Sequence, residues 1–378
     1  MKLQEATQKV QTLALQMLLA EDAGLTALAV GSKDGGPISG ATDFTVTGFV
    51  RKKLTMSALA AEGGRPFSAV YAAAAGAPAA ETDIDVVESG SAFTPQASPA
   101  LTPVQQGLFG GTPAIVDTQK FFATLRIGIG ITNATGQYPQ GLSVGTLGFF
   151  LQDGQGRRFL VSNNHVIGGS NAAQAGEAIE QPGTLDMTLA EIRLLPTLAA
   201  LENAHTIARL TTQVQLAFRT PQNVPVNQVD AALAELTNSG RGMQDLDRLS
   251  FGGSLRGVAA PYQLGPNGAL VGSARVYKVG RTTGFTEGVV TNIAGTTLVP
   301  YQGGTAFFAG QIVIQPTADN VGPFSDRGDS GSGIVNEDHE LVGLLFAGSG
   351  ARTLVNPIAE VLAQLGTASG IAGLQVIV

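Results

Sequence analysis

Apolar positions along the chain follow a helical spacing only near its start and then settle into short alternating or continuous runs. Over residues 1–24, MKLQEATQKVQTLALQMLLAEDAG, Val10, Leu13, Leu15, Met17 and Leu18 stand among charges at Lys2, Glu5 and Lys9. That pattern predicts a short amphipathic helix. The runs LTALAVGSK and FTVTGFVRKKL flank the turn DGGPISG and predict a hairpin. An alanine-rich stretch, SAVYAAAAGAPAA, leads to ETDIDVVESG, where Ile84, Val86 and Val87 sit among acids. These pieces predict a small α+β unit over residues 1–90. Residues 91–120 turn to Ser, Pro, Gly and Gln, the composition of a linker.

From Phe121 onward strand patterns dominate: TLRIGIGITNATG, VGTLGFFLQDGQGRRFLVSNNHVIGG, SARVYKVGRTTGFTEGVVTNIAG, QIVIQPTA and GSGIVNEDHELVGLLFAGSG. Short strands at close spacing, punctuated by Gly, Asn and Asp, predict a mainly β domain over residues 121–378, a sandwich or barrel pair rather than βαβ units. There are two helical exceptions. Over residues 187–218 helical spacing competes with Pro196, and NPIAEVLAQLG predicts a closing helix with Asn356 as N-cap, Pro357 as first residue and Gly366 as stop.

Composition narrows the function. The net charge of −7 comes without blocks of like charge, which argues against nucleic acid as a partner. No window reaches the roughly 18 apolar residues of a spanning helix, and the first residues lack the apolar core of a signal peptide. A soluble, cytoplasmic protein without membrane attachment is the expectation. Cysteine is absent, which removes disulfides, thiolate metal sites and cysteine nucleophiles. With only His165, His205 and His339 available, no metal site is expected.

The stretch SDRGDSGSGIV, Ser325 to Val335, reads either as an ordinary Gly/Ser turn or as a backbone bent so that Ser330 projects with N–H groups beside it. A nucleophilic serine needs a base and a third group to hold the base. His165 ends an apolar strand ahead of a glycine turn, whereas His339 lies in a polar turn and His205 in the helical insert. Position 332 is serine, so the G-x-S-x-G elbow does not apply. The order His, Asp, Ser then requires a carboxylate between residues 165 and 330. Asp230 opens the apolar run VDAALAEL, where a strand would hold it desolvated, and is preferred to Asp186.

GDSGSG, together with LVSNNHV, VDAALA and KVGRTTGFTEGVV in this order, resembles the trypsin/chymotrypsin-type serine peptidases, in a bacterial disulfide-free branch related to the plant NARROW LEAF 1 proteins. The resemblance spans roughly residues 121–370. It implies a double Greek-key β-barrel with the site in the cleft between barrels. It also implies a serine protease acting on protein or peptide substrates through an acyl-enzyme, with no cofactor. Carried over by position, His165 would be the general base, Asp230 its orienter and Ser330 the nucleophile, with the N–H groups of Gly328 and Ser330 as oxyanion hole. Phe324 would floor the substrate pocket and Phe346, Ala347 and Gly348 would line it. In bacterial relatives a GRTTG-like strand supplies a cation to the aspartate before the nucleophile, so Arg281 is expected to pair with Asp329. Ser332, Asn163 and Asn164 depart from the commonest family pattern. A protease-fold binding or scaffold protein with a silent or occluded site, and less so an esterase, remain the alternatives, and a homo-oligomer is left open.

Overall fold

A computed structural model describes residues 1–19, 24–53, 84–96, 118–134, 143–183, 186, 205–320 and 322–378. Helix α1 (Leu3–Leu19) buries Ala6, Val10, Leu13, Ala14, Met17 and Leu18 along one stripe, as an amphipathic spacing requires. Strands β1 (Leu25–Ser32) and β2 (Phe44–Val50) form the antiparallel hairpin, and β3 (Ile84–Glu88) joins β2 in parallel. The alanine-rich stretch lies outside the described residues. A two-residue strand, β4 (Thr94–Pro95), lies within the segment whose composition predicts a linker.

Two closed ladders follow. The first contains β5 (Gly130–Asn133), β6 (Val144–Thr146), β7 (Phe149–Gln152), β8 (Arg158–Ser162), β9 (Ala178–Glu180), β10 (Thr206–Gln213) and β11 (Ala232–Leu236). Pairing runs β7–β8–β11–β10–β9–β5–β6. Between β6 and β7, Leu147 N–H bonds Ile129 O and Gly148 N–H bonds Val161 O, so one continuous stretch joins both ends of the ladder. Phe149, Phe150, Phe159, Leu160, Ile179 and Leu233 of these strands are buried in one hydrophobic cluster that covers both faces of the ladder. The expected helix over 187–218 is instead strand from Thr206 to Gln213. Its Thr and Ile content favours extended backbone, and β9 and β11 offer partners on both edges. Residues 187–204 lie outside the described residues. A single helical turn, α2 (Asn164–Ile167), follows β8.

The second ladder is built from β12 (Arg275–Gly280), β13 (Gly284–Tyr301), β14 (Gly304–Pro316), β15 (Gly333–Asn336), β16 (Glu340–Gly348) and β17 (Thr353–Pro357). Its pairings, β12–β13–β14–β17–β16–β15–β12, also return to their start. Counting β6 and β7 as one, both rings visit their strands in the order first, second, third, sixth, fifth, fourth, so the chain is mainly β with paired barrels of one topology.

Strand β13 is longer than its neighbour β12, and its outer half pairs with β1. The N-terminal hairpin thereby covers an edge that would otherwise expose unpaired backbone groups. Val10, Met17 and Val30 share a buried cluster with Val290, Ile314 and Phe324 of the second barrel region. The closing helix, α3 (Ile358–Ser369), begins after Pro357, passes through Gly366 and stops at Gly370, whose φ of 66° is the left-handed cap. Asn356 does not cap it, because its side chain is committed elsewhere.

Candidate active site

His165 is held by the turn that ends β8. Asn163 presents its carbonyl to Val166 and Ile167 N–H, and its Nδ2 donates to Asp230 O at 2.6 Å. Asn164 Nδ2 donates to Asn171 Oδ1 at 2.7 Å and Val214 O at 2.8 Å. Both asparagines therefore brace the helical turn from which His165 projects. Asp230 precedes β11, and its own N–H donates to Asn356 Oδ1 at 3.0 Å, which is the engagement that keeps Asn356 from capping α3.

His165 Nδ1 lies 2.5 Å from Asp230 Oδ2, and His165 Nε2 lies 2.8 Å from Ser330 Oγ. His165 N–H also donates to Asp230 Oδ1 at 3.2 Å, so ring and backbone grip one carboxylate. The carboxylate only accepts, so the Nδ1 proton points to it and the Nε2 lone pair faces the serine hydroxyl. Ser330 and Asp230 are fully buried and His165 is 6% exposed. A partner that sequence reasoning missed is Tyr301, whose Oη donates to Asp230 Oδ2 at 2.8 Å. Burial, and next the Asp230 charge, hold its phenol well above the ordinary range, so it stays a donor. Nothing in LVPYQGG signals this role.

Gly328 and Gly331 have φ of 105° and 92°. Side chains rarely adopt that region, and a Cβ on Gly328 would strike Thr282 while one on Gly331 would strike Ser162 and Thr146. The resulting turn points Gly328 N–H and Ser330 N–H at one acceptor, the carbonyl oxygen of Gln96, with the Ser330 contact at 3.3 Å. Ser332 is turned away, its Oγ donating to Asp329 O at 2.7 Å.

The expected Arg281–Asp329 pair does not form. Arg281 pairs with Asp186, and Lys278 Nζ lies 3.5 Å from Asp329 Oδ2 with both side chains fully buried. Lys278 sits on β12 with its side chain turned inward, whereas Arg281 follows the strand end and swings toward the first barrel region. Asp329 Oδ1 accepts from Thr282 N–H at 2.9 Å and Thr283 N–H at 3.1 Å, and Oδ2 accepts from Thr283 Oγ1 at 2.6 Å and Asp326 N–H at 2.9 Å. Burial pushes the Lys278 ammonium below its ordinary value, and the Asp329 charge opposes that shift. Asp186, the second candidate for orienting His165, is thus spoken for by Arg281. His205 faces Gln181 O at 3.4 Å and His339 sits edge-on to Phe251, each in another part of the fold.

Phe324 is not an open floor. Its ring packs in the second buried cluster, 5.7 Å from Lys278 Nζ, and its carbonyl accepts from Thr286 Oγ1 at 2.7 Å. The ring of Phe346 is likewise turned into the core against Phe308, 4.7 Å between centroids. Phe346 O accepts from Gln96 N–H, while Ala347 and Gly348 pair with Pro95 and Thr94 of β4. The start of the predicted linker is therefore ordered by a strand edge that composition does not register. Among the described residues no His, Asp or Glu cluster could hold a metal ion.

No family model matches the chain, and no curated protein matches it in sequence. Among solved structures it is similar to Thermobifida fusca Protease A, at 16% identity and a TM-score of 0.39 over 67% of this chain and 99% of that one. Nocardiopsis protease aligns at 16% identity and a TM-score of 0.39, over 67% of this chain and 100% of that one. Cellulomonas bogoriensis chymotrypsin aligns at 17% identity and a TM-score of 0.34, over 61% of this chain and 90% of that one.

Proposed function

We propose that the protein is a serine endopeptidase. The observation that carries this reading is the unbroken chain from Ser330 Oγ through His165 to the Asp230 carboxylate, at 2.8 and 2.5 Å. His165 takes the Ser330 proton as Oγ attacks a peptide carbonyl, and Asp230 and Tyr301 hold the imidazole and balance the charge it acquires. The Gly328 and Ser330 N–H groups stabilise the oxyanion. His165 returns the proton to the leaving amine, and water then hydrolyses the acyl-enzyme by the same steps. No metal or cofactor takes part, and the substrates are proteins or peptides.

A second reading, a protease fold kept closed by its own chain, draws on the Gln96 carbonyl resting on both oxyanion N–H groups. Digestion of an unfolded protein and of a peptide library separates the two. Wild-type protein is expected to cleave both, Ser330→Ala to lose about 10^6-fold in turnover, and Ser332→Ala to keep most activity. A wild type no faster than Ser330→Ala would support the closed reading, and loss in Ser332→Ala with retention in Ser330→Ala would move the nucleophile.

A further inference from the structure

Residues Ser91 to Gln96 run antiparallel along β16 as a bound peptide would. Ser91 Oγ donates to Ser349 O at 2.8 Å, Thr94 and Pro95 pair with Gly348 and Ala347, and Gln96 N–H donates to Phe346 O at 3.3 Å. Phe93 is fully buried, edge-on to Phe49 with ring centroids 6.3 Å apart, which anchors the segment. Backbone pairing of this kind fixes register, and side-chain pockets then set preference.

The register matters most at Gln96. Its carbonyl oxygen accepts from the Gly328 and Ser330 N–H groups, beside the Ser330 hydroxyl that faces His165 Nε2. The residue is almost fully enclosed, at 4% exposed, and its Nε2 donates to Ser325 O at 3.3 Å. A Cβ on Gly348 would run into that carboxamide, so glycine there opens the slot. A carbonyl placed on oxyanion donors next to an aligned nucleophile is the geometry of a bond about to be cut.

Resting on the proposed protease reading, we propose that the chain is its own substrate and cuts itself after Gln96, at the bond to Ala97. Ser330 Oγ forms a bond to the Gln96 carbonyl carbon while His165 takes the hydroxyl proton. The C–N bond to Ala97 breaks, and His165 delivers that proton to the leaving nitrogen. Water, deprotonated by His165, then releases a Gln96 carboxylate and restores Ser330. The slot that holds Gln96 makes glutamine the side chain this site accepts before the cut. Both pieces stay together afterwards, because β1 remains paired with β13 and α1 remains packed beneath the second barrel region.

Purified wild-type protein, Ser330→Ala and Gln96→Arg are compared by intact mass under denaturing conditions, by size under native conditions and by reaction with a fluorophosphonate. The expected wild type yields fragments 1–96 and 97–378 that co-elute natively, at a rate unchanged by tenfold dilution. Ser330→Ala stays whole, and Gln96→Arg stays whole while its Ser330 still reacts with the probe. A wild type that reacts at Ser330 yet never breaks after Gln96 overturns self-cleavage and leaves the protease reading standing. A break after Gln96 that persists in Ser330→Ala also overturns it. A wild type that neither breaks nor reacts removes both.

Discussion

The phenol of Tyr301 donates to the same Asp230 oxygen that receives His165 Nδ1, and its ring lies 5.8 Å from the imidazole. The carboxylate therefore has a second donor that fixes its rotation before any charge develops on the histidine. A hydrogen bond to a charged group is worth about 1.5–3 kcal/mol, and about 1.4 kcal/mol is a tenfold rate change. Tyr301→Phe is expected to lower kcat about tenfold with KM unchanged, since the hydroxyl touches no substrate.

The raised phenol ionisation sets a pH window for the same pair. A group whose folded pKa lies above its unfolded value stabilises fully below the unfolded value, about 10 for tyrosine, and loses that contribution as pH rises through the folded value. The stability difference between wild type and Tyr301→Phe should stay level from neutral pH to about 10 and narrow above it. Urea unfolding at several pH values measures this, and a difference that narrows between neutral pH and about 10 would contradict the assignment.

Asp230 and Asp186 separate catalysis from stability. Asp230→Asn is expected to fold and to lose about 10^4-fold in kcat, through the wrong histidine tautomer. Asp186→Asn strands the buried Arg281 guanidinium instead, so it should cost about 3–5 kcal/mol of unfolding free energy with turnover largely kept. Paired kinetics and denaturant curves decide it, and the opposite ranking in kcat would reassign the acid.

Lys278 is the cation that Asp329 relies on. Lys278→Met leaves a buried carboxylate one residue before Ser330 and should destabilise by about 3–5 kcal/mol, with turnover falling as the Gly328–Ser330 turn loosens. Adding Asp329→Asn to Lys278→Met should recover part of the loss, because the stranded charge is gone. No recovery in the double variant would mean that the pair does not act as a unit.

What could be read from the amino-acid order was local in origin. The hairpin, the α1 stripe and the strands leading to His165 and Ser330 carry their own periodicity and turn residues, and their structures follow it. The Gly-flanked serine, the histidine at a strand end and the aspartate opening an apolar run could be singled out because each is an unusual residue in its local pattern. Lys278 could not, since a lysine within a strand ordinarily marks a solvent-facing position, and arginine is the more usual choice for a buried pair. Tyr301 and Gln96 reach the site through contacts between segments far apart in the chain, Tyr301 with Asp230 and β4 with β16. The Pro/Ser/Gly composition around Gln96 hid its order, because backbone hydrogen bonds along an open strand edge need no particular side chains.

Fluorophosphonate labelling followed by peptide mapping reads the activation of the Ser330 hydroxyl itself and needs no knowledge of the substrate. One adduct per chain is expected, on Ser330, abolished in Ser330→Ala and His165→Ala and retained in Ser332→Ala. An unlabelled wild type, or an adduct on Ser332 or elsewhere with Ser330 untouched, would contradict the assignment of Ser330 as nucleophile.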